Sequence, residues 1–295
     1  MAIAHEFDYH KPANLDEALE FLAKYKGNAS ILAGGTDLIG WIREDFLTPE
    51  ALIDIKGLSE LKRLDFQDDR LFIGSLVTFA ELIKSEIITG KFPLLGEAAS
   101  VVGSCGVRNR ATMVGNICSS VPCCDSGSPL LVYEAEVQVK GPEGTRKIPI
   151  SSWFVGPKKT ALKEGEIVLG LEISLPDAKH GSCYVKMGRY RGEDLAQASV
   201  AILAFEKSFR VAFAAVGPTP LRAKGIEKHL EGKELSDSSI EEAIKLLPEE
   251  ISPITDVRAT KEYRLHMCGV MLKRGLKAAS SRLAGNGPAS GTKLI

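Results

Sequence analysis

The sequence lacks a dominant charge and any metal-binding pattern of histidines. Its 37 Lys and Arg nearly cancel its 38 Asp and Glu, so it has no one-sided field of the kind that gathers nucleic acid or an anionic membrane. The 5 histidines are scattered without the spacing of metal ligands. We therefore expect no nucleic-acid partner, no membrane partner and no histidine-based metal site.

Long apolar segments are missing as well. No stretch approaches the roughly 18 apolar residues of a membrane-spanning helix. Residues 1–12 include His, Glu, Asp and Lys, whereas a signal peptide would need a basic start and then an unbroken apolar run. The 6 cysteines include the adjacent pair Cys123 and Cys124 and lack the even spacing of a disulfide framework, which suits a reducing compartment. We expect the protein to be cytoplasmic.

Catalytic signatures are absent too, since there is no GxSxG nucleophile elbow and no HExxH helix. Four cysteines do fall in one region, at positions 105, 118, 123 and 124, and four thiolates could bind an iron–sulfur cluster or zinc. They have no CxxC spacing, and adjacent cysteines rarely both bind one metal. Small buried thiols are the favoured interpretation, and we expect no catalytic side chain and no metal site.

The features that are present predict a mixed α and β chain. The hydrophobic fraction of 44% is enough for one large or two medium domains. Asn14 with Glu17, and Thr78 with Glu81, are typical of capping boxes at helix starts. Residues 103–129 are rich in Gly, Ser, Cys and Pro without a helical period, so we predict a long irregular segment there.

The second part of the chain is predicted to begin after Pro176 and Asp177, the best candidate for a domain boundary. Beyond it, the patterns predict a β-hairpin, three helices and a disordered tail. The hairpin is predicted at residues 199–216 and the tail at 284–295. The helices are predicted at 223–231, 239–247 and 259–282.

The first candidate binding segment is the loop Ala33, Gly34, Gly35, Thr36, Asp37, Leu38. Two glycines between a predicted strand and a predicted helix allow main-chain N–H groups to approach a phosphate closely, and the helix start adds partial positive charge. The pattern is neither the GxGxxG dinucleotide fingerprint nor a Walker A loop. By itself it fits a tight turn with Thr36 as a helix cap equally well.

The second candidate segment begins at Thr112. Gly115 permits close backbone approach, while Thr112 and Asn116 supply short polar side chains. Asp125, nine residues after Asn116, could accept hydrogen bonds from a ribose or ribityl hydroxyl. Each residue alone fits an ordinary loop, and the combination of both segments favours a nucleotide site.

The two segments together resemble a known family. AGGTDL at 33–38 and TMVGNICSSVPCCDSGSPLL from Thr112 are similar to the two FAD-binding loops of the flavoprotein (medium) subunits of the xanthine dehydrogenase and carbon monoxide dehydrogenase family of molybdenum hydroxylases. The resemblance extends over nearly the whole chain. It includes IGSLVTFAEL at 73–82, EGEIVLGLEISLP at 164–176, KMGRYRGEDLAQASVA at 186–201 and DVRATKEYR at 256–264.

The resemblance implies an α+β fold with a vanillyl-alcohol-oxidase-like (PCMH-type) FAD-binding domain. That domain would span residues 1–177, with subdomains of about 1–56 and 57–177, and a smaller C-terminal α+β domain would span 178–283. The resemblance also implies roles for residues. Residues 33–37 with Thr112, Gly115 and Asn116 would hold the pyrophosphate and its surroundings, and Leu38 would also belong to the cofactor site. Asp125 would contact the ribityl or ribose portion, Val168 or Leu169 would pack near the adenine end, and Lys186 and Leu195 would lie near the isoalloxazine.

One position departs from the family pattern. The family usually has two consecutive glycines before the residue that matches Asn116, whereas this chain has Val114 and Gly115. Valine disfavours positive φ. Either the first glycine is optional, or the loop bends differently here.

The implied function is electron transfer. The chain would carry noncovalent FAD, accept electrons from the [2Fe–2S] clusters of a small partner subunit, and pass them to NAD or another acceptor. A large partner subunit would carry the molybdenum (or tungsten) cofactor, with a dimer of heterotrimers as the assembly. The alternatives are a stand-alone FAD-dependent oxidase or reductase of the same fold, and a non-enzymatic subunit that has lost FAD.

Overall fold

A computed structural model describes residue 3, residues 5–190 and residues 193–295. Residues 1, 2 and 4 of the N-terminal segment, and residues 191 and 192 of the quoted stretch 186–201, lie outside the described part. In the described part no helix has both the length and the apolar character needed to span a membrane. Helices and sheets alternate through the chain, and the predicted α+β class is confirmed.

The first subdomain is a small parallel sheet with two helices. Its strands lie in the order β1, β3, β2, and all its strand pairs are parallel. Asn14 caps the first helix by accepting a hydrogen bond from the Glu17 N–H, as the sequence predicts. The elements are β1 (Asp8–His10), α1 (Leu15–Tyr25), β2 (Ala29–Leu32), α2 (Leu38–Arg43) and β3 (Ala51–Asp54).

The second subdomain packs helices against a five-stranded antiparallel sheet. The strand order is β4, β5, β10, β6, β7, and β8 pairs separately with β9. The elements are β4 (Leu64–Gln67), β5 (Arg70–Gly74), α3 (Phe79–Lys84), α4 (Glu86–Lys91), α5 (Pro93–Ser100), α6 (Cys105–Arg108), α7 (Met113–Ser119), α8 (Gly127–Tyr133), β6 (Glu136–Gly141), β7 (Gly144–Pro149), β8 (Phe154–Gly156), β9 (Lys159–Thr160) and β10 (Ile167–Ser174).

The prediction of an irregular segment at 103–129 is wrong, because that segment contains α6, α7 and the start of α8. The helices are set by local caps. Ser104 accepts from the Val107 N–H and Thr112 from the Gly115 N–H. Helices of one or two turns are too short to produce an amphipathic period, so the pattern could not reveal them.

The C-terminal domain is a four-stranded antiparallel sheet, ordered β11, β12, β13, β14, followed by helices. The hairpin predicted at 199–216 and the three predicted helices are confirmed, within a few residues at their ends. The elements are β11 (Gly181–Met187), β12 (Ala198–Ala204), β13 (Phe209–Ala214), β14 (Leu221–Arg222), α9 (Lys224–Leu230), α10 (Asp237–Lys245), α11 (Leu247–Glu250) and α12 (Lys261–Leu283).

This sheet is buried on both faces. Val200 and Ile202 of β12 belong to the core under the C-terminal helices, while Ala201 and Leu203 belong to the core of the second subdomain. Every residue of β12 is buried, which explains its unbroken apolar run, because a strand covered on both sides need not alternate. The C-terminal domain therefore packs directly on helices α5 and α8 of the second subdomain.

A buried ion pair crosses that packing surface. Glu97 of α5 lies 2.7 Å from the Arg282 guanidinium of α12, and the two side chains are 5% and 13% exposed. The second Glu97 oxygen accepts from the Tyr184 N–H of β11 at 2.8 Å. One carboxylate thus links a helix of the second subdomain to a strand and a helix of the C-terminal domain.

The terminal segment 284–295, for which the sequence predicts disorder, makes contacts with the body of the protein. Glu97 accepts hydrogen bonds from the Ser290 hydroxyl and the Gly291 N–H. Arg282 donates to the carbonyls of Pro288 and Ala289. The same ion pair therefore also holds the tail.

We expect Arg282→Met to destabilise the protein by about 3 kcal/mol, because it leaves Glu97 buried without its counter-charge. The free energy of unfolding from urea titration measures this. Lys273→Met is the matched control on the same helix, since Lys273 pairs with exposed acidic residues, and it should cause no resolvable change. Equal changes in the free energy of unfolding would show that the buried pair stabilises the protein no more than the exposed one.

Candidate functional site

A cavity of about 870 Å³ opens between the two subdomains and the start of the C-terminal domain. This volume lies near the upper end of the range for cofactor sites, which is roughly 300–1,000 Å³. All the predicted site residues line it except Leu169 and Lys186. Those that line it are Ala33, Gly34, Gly35, Thr36, Asp37, Leu38, Thr112, Gly115, Asn116, Asp125, Val168 and Leu195.

The loop between β2 and α2 presents free main-chain donors to this cavity. Within the described part of the chain, the N–H groups of residues 34–38 have no hydrogen-bond acceptor. The first helical bonds run from the Ile39 N–H to the Gly35 carbonyl and from the Trp41 N–H to the Asp37 carbonyl. A run of adjacent unpaired N–H groups at a helix start is an anion-binding arrangement, and it fits a pyrophosphate.

The two glycines of this loop are needed for different reasons. A Cβ on Gly34 would lie 2.1 Å from the carbonyl oxygen of Arg110, which is far inside contact distance. Gly35 has a φ of +75°, in the region that favours glycine. Gly34 therefore lets the first loop touch the backbone just before the second loop, and Gly35 turns the chain into α2. The fold therefore needs both glycines whether or not a phosphate is bound.

The second loop is the N-terminus of α7. Thr112 caps this helix through its hydroxyl, which accepts from the Gly115 N–H at 2.9 Å. Val114 lies inside α7 and is buried, and it is not among the residues with positive φ. The departure at Val114 is therefore compatible with the fold, because a helical residue needs no glycine. The N–H group of Val114 has no acceptor in the described chain.

A hydrogen bond ties the two loops together. The Ser119 hydroxyl at the end of α7 donates to Asp37 Oδ2 at 2.5 Å. Asp37 occupies the N-cap position of α2, but its side chain caps no N–H group there. The expected capping by Thr36 is also not observed. Asp37 instead fixes α2 against α7, so that both sets of free donors face one cavity.

Asn116 braces the chain that follows α7. Its Oδ1 accepts from the Ser126 N–H at 3.1 Å and from the Cys124 thiol at 3.2 Å. The amide NH2 has no partner in the described chain, and Asn116 lines the cavity. The residue therefore positions Asp125 and keeps a donor for a bound group.

Asp125 sits in a buried hydrogen-bonding cluster. Tyr184 donates to Oδ1 at 2.8 Å, and Lys186 lies 2.7 Å from Oδ2 with both side chains of the ion pair below 10% exposed. Lys186 also donates to the carbonyl of Val101. Burial raises the pKa of Asp125, and the Lys186 ammonium and the Tyr184 hydroxyl oppose that rise. Lys186 thus acts on the cavity through Asp125 and does not line it.

Sequence reasoning missed Tyr184. The residue lies two positions before Lys186 on β11, so both side chains point to the same face of the strand. The spacing of two residues between Tyr184 and Lys186 was therefore the sequence signal that could have identified Tyr184. Leu169 faces away from the cavity, since it packs against the core of the first subdomain, while its neighbour Val168 lines the wall.

The cysteines are distributed around the cavity without converging. Cys118 and Cys123 line it, Cys124 is buried and Cys105 is exposed. Burial raises the pKa of the Cys123 and Cys124 thiols, and the nearby Asp125 carboxylate adds to the rise. Within the described residues, no three His, Cys, Asp or Glu side chains lie close enough together to hold a metal ion.

A second cavity of about 470 Å³ adjoins the first. Cys123 and Leu195 line both cavities. The remaining walls come from Pro122 of the second subdomain and from the C-terminal domain, which supplies Asp256, Arg258 and Arg264. The end of the first cavity near Leu195 therefore opens beside a separate, partly charged space.

Comparisons with known proteins identify the family of the chain. A family described as "FAD binding domain in molybdopterin dehydrogenase" matches residues 5–177, and one described as "CO dehydrogenase flavoprotein C-terminal domain" matches residues 182–279. The carbon monoxide dehydrogenase medium chain of Hydrogenophaga pseudoflava is 32% identical over 287 residues, covering 96% of this chain and 100% of the relative. The xanthine dehydrogenase FAD-binding subunit of Escherichia coli O157:H7 is 31% identical, covering 94% and 97%.

Solved structures show the same similarity. A carbon monoxide dehydrogenase chain from Hydrogenophaga pseudoflava, in a form that lacks the Mo-pyranopterin moiety of its molybdenum cofactor, superposes with a TM-score of 0.92 at 32% sequence identity. The match covers 95% of this chain and 99% of that chain. The similarity therefore extends through both the cavity-forming region and the C-terminal domain.

Two glycines near the first loop should respond oppositely to alanine. Gly34→Ala should lower the free energy of unfolding by about 1–3 kcal/mol, because the new Cβ collides with the Arg110 carbonyl. Gly40→Ala, inside α2 with open space around it, should raise it by about 0.5–1 kcal/mol. Urea titration of the two variants measures both. A Gly34→Ala protein as stable as Gly40→Ala would disprove the contact between the loops.

Proposed function

Since the chain belongs to the family of FAD-binding subunits of the xanthine dehydrogenase and carbon monoxide dehydrogenase type, we propose that it receives electrons from the iron–sulfur clusters of a partner subunit and delivers them to NAD or another acceptor. The chain is an FAD-binding oxidoreductase subunit. The observation that carries the proposal is the run of free N–H groups at 34–38 in a cavity that also receives the start of α7.

The proposed seating of FAD follows from the donors and the walls. The N–H groups of residues 34–38 and of the start of α7 would hold the pyrophosphate, because both carry partial positive charge. Asn116 has a free amide donor for the same region. Asp125 would accept from a ribityl or ribose hydroxyl, and Val168 would contact the adenine end. Leu169 would support that wall from behind.

The protein's part in the chemistry is to bind and orient. Bound FAD supplies the redox chemistry, the uptake and release of electrons, and the protein supplies position and electrostatics. Lys186 and Tyr184 hold Asp125 in one orientation through hydrogen bonds to separate oxygens. No step requires a side chain of this chain to act as an acid or base, and Leu195 lies where the first cavity meets the second.

The partners follow from the relatives. Proteins named medium chain or FAD-binding subunit imply further subunits, and we propose a large subunit with the molybdenum or tungsten cofactor and a small subunit with [2Fe–2S] clusters. A dimer of such heterotrimers in the cytoplasm is the proposed assembly. The second cavity, next to Leu195 and Cys123, offers space for a nicotinamide acceptor.

We expect the FAD to be noncovalent, because the matched motifs place no His or Cys for attachment to the isoalloxazine. Acid precipitation should release all the flavin into the supernatant. Cys118 and Cys123 line the cavity and are the thiols that could contradict this. If flavin stays on the denatured chain, loss of that flavin in Cys118→Ser or Cys123→Ser would identify the attachment.

The relay function is tested on the FAD-loaded chain without its partners. Mixed anaerobically with substrates of the whole complex, it should show no flavin bleaching in stopped-flow absorbance, whereas NADH with a dye should still give diaphorase activity. The physical reason is that, in the proposed relay, the electrons reach FAD from the iron–sulfur clusters of a partner subunit, which the isolated chain does not carry. Rapid bleaching by such a substrate, with molybdenum and iron shown to be absent, would favour the stand-alone oxidase.

A further inference from the structure

One wall of the large cavity is a continuous piece of loop and strand. The residues from Leu162 to Val168 all line the cavity, and they connect β9 to the start of β10. The wall is apolar at Leu162, Ile167 and Val168, and charged at Lys163, Glu164 and Glu166. Leu22, Ala29 and Ile31 of the first subdomain line the same cavity. Apolar side chains on both sides of the cavity suit a flat aromatic base.

This wall lies against the turn before β2. A Cβ on Gly27 would lie 3.6 Å from Glu164 Cδ, and Gly27 has a φ of +86°. The loop has few internal bonds, the main ones joining the Glu166 N–H to the Lys163 carbonyl and the Lys163 N–H to Glu166 Oε2. Its position therefore depends on contacts with the rest of the protein.

Arg146 of β7 supplies the principal polar contact. Its Nε and a terminal nitrogen lie 2.7 and 2.8 Å from the two oxygens of Glu166, and the same terminal nitrogen donates to the Ala161 carbonyl at 3.1 Å. This is a two-pronged charged pair, the strong geometry for arginine and carboxylate. Arg146 itself is not among the residues that line the cavity, so it acts only through the loop.

The neighbouring strand is shaped to receive the same carboxylate side chain. A Cβ on Gly141 of β6 would lie 2.7 Å from Glu166 Cγ, so only glycine leaves that space. The Glu166 side chain is 9% exposed, and the Arg146 guanidinium lowers its pKa. A lowered pKa means that the pair is intact at neutral pH and is lost only as acid protonates Glu166.

We propose that Arg146 is a positioning residue that sets the affinity of the cavity for the adenine half of FAD, by clamping residues 161–166 into the wall. The inference rests on the proposed function, because it takes FAD as the ligand of the cavity. The resemblance implies that the isoalloxazine half lies near Lys186 and Leu195, so its binding would not depend on this clamp.

The test measures binding of three ligands to the full chain after removal of its flavin. FAD and FMN are titrated by fluorescence, and ADP by calorimetry. Arg146→Met should lower the affinity for FAD and for ADP by about tenfold and leave the affinity for FMN unchanged. A charge-assisted, two-pronged hydrogen bond contributes roughly the free energy that corresponds to a tenfold change in affinity. Arg146→Lys, which keeps the charge but not the fork, should fall between Arg146→Met and the wild type.

Lys147→Met is the matched control. Lys147 is the next residue on the same strand, and it pairs with Glu136 and Glu172 away from the cavity. The Lys147→Met protein should bind all three ligands with the affinities of the wild type. Unfolding midpoints of the two Met variants show whether either substitution acts through global stability.

The possible outcomes separate this inference from the proposed function. Equal FAD and ADP affinities in Arg146→Met and Lys147→Met would overturn the clamp, as would an equal loss of FAD and FMN binding in Arg146→Met. A wild-type chain that bound neither FAD nor ADP would instead overturn the proposed function. Selective loss of FAD and ADP, with partial recovery in Arg146→Lys, would support the clamp.

Discussion

The site depends on the close contact between two loops. Gly34 touches the backbone at Arg110, and Asp37 accepts from Ser119, so the free donors before α2 and at the start of α7 face one space. Without this contact each loop would be an ordinary turn, and neither alone would enclose a charged pyrophosphate. The contact also explains why the sequence patterns were informative only as a pair.

The C-terminal sheet supports the far side of the same site. Because β11 is buried between α12 and α5, its side chains Tyr184 and Lys186 reach Asp125, while its backbone at Tyr184 is held by Glu97. The C-terminal domain therefore contributes residues that hold Asp125 at the candidate cofactor site. The ion pair of Glu97 with Arg282 lies directly behind the residues that orient Asp125.

The sequence predicted what local chemistry determines. The caps at Asn14 and Thr78 and the strand–glycine–helix unit at 29–43 are confirmed. The resemblance predicted the family and the fold class, which are confirmed as well. What could not be predicted depends on contacts distant in sequence: Gly34 with Arg110, Tyr184 with Asp125 and Arg146 with Glu166. The short helices at 103–129 were missed because one or two turns carry no period.

The central claim is that the pyrophosphate of FAD is bound by the main-chain N–H groups of residues 34–38 and the start of α7. A crystal structure of the FAD-loaded chain measures this directly. The account predicts pyrophosphate oxygens at about 2.7–3.2 Å from several of those nitrogens. A pyrophosphate bound elsewhere in the cavity, with these N–H groups facing only solvent, would contradict it.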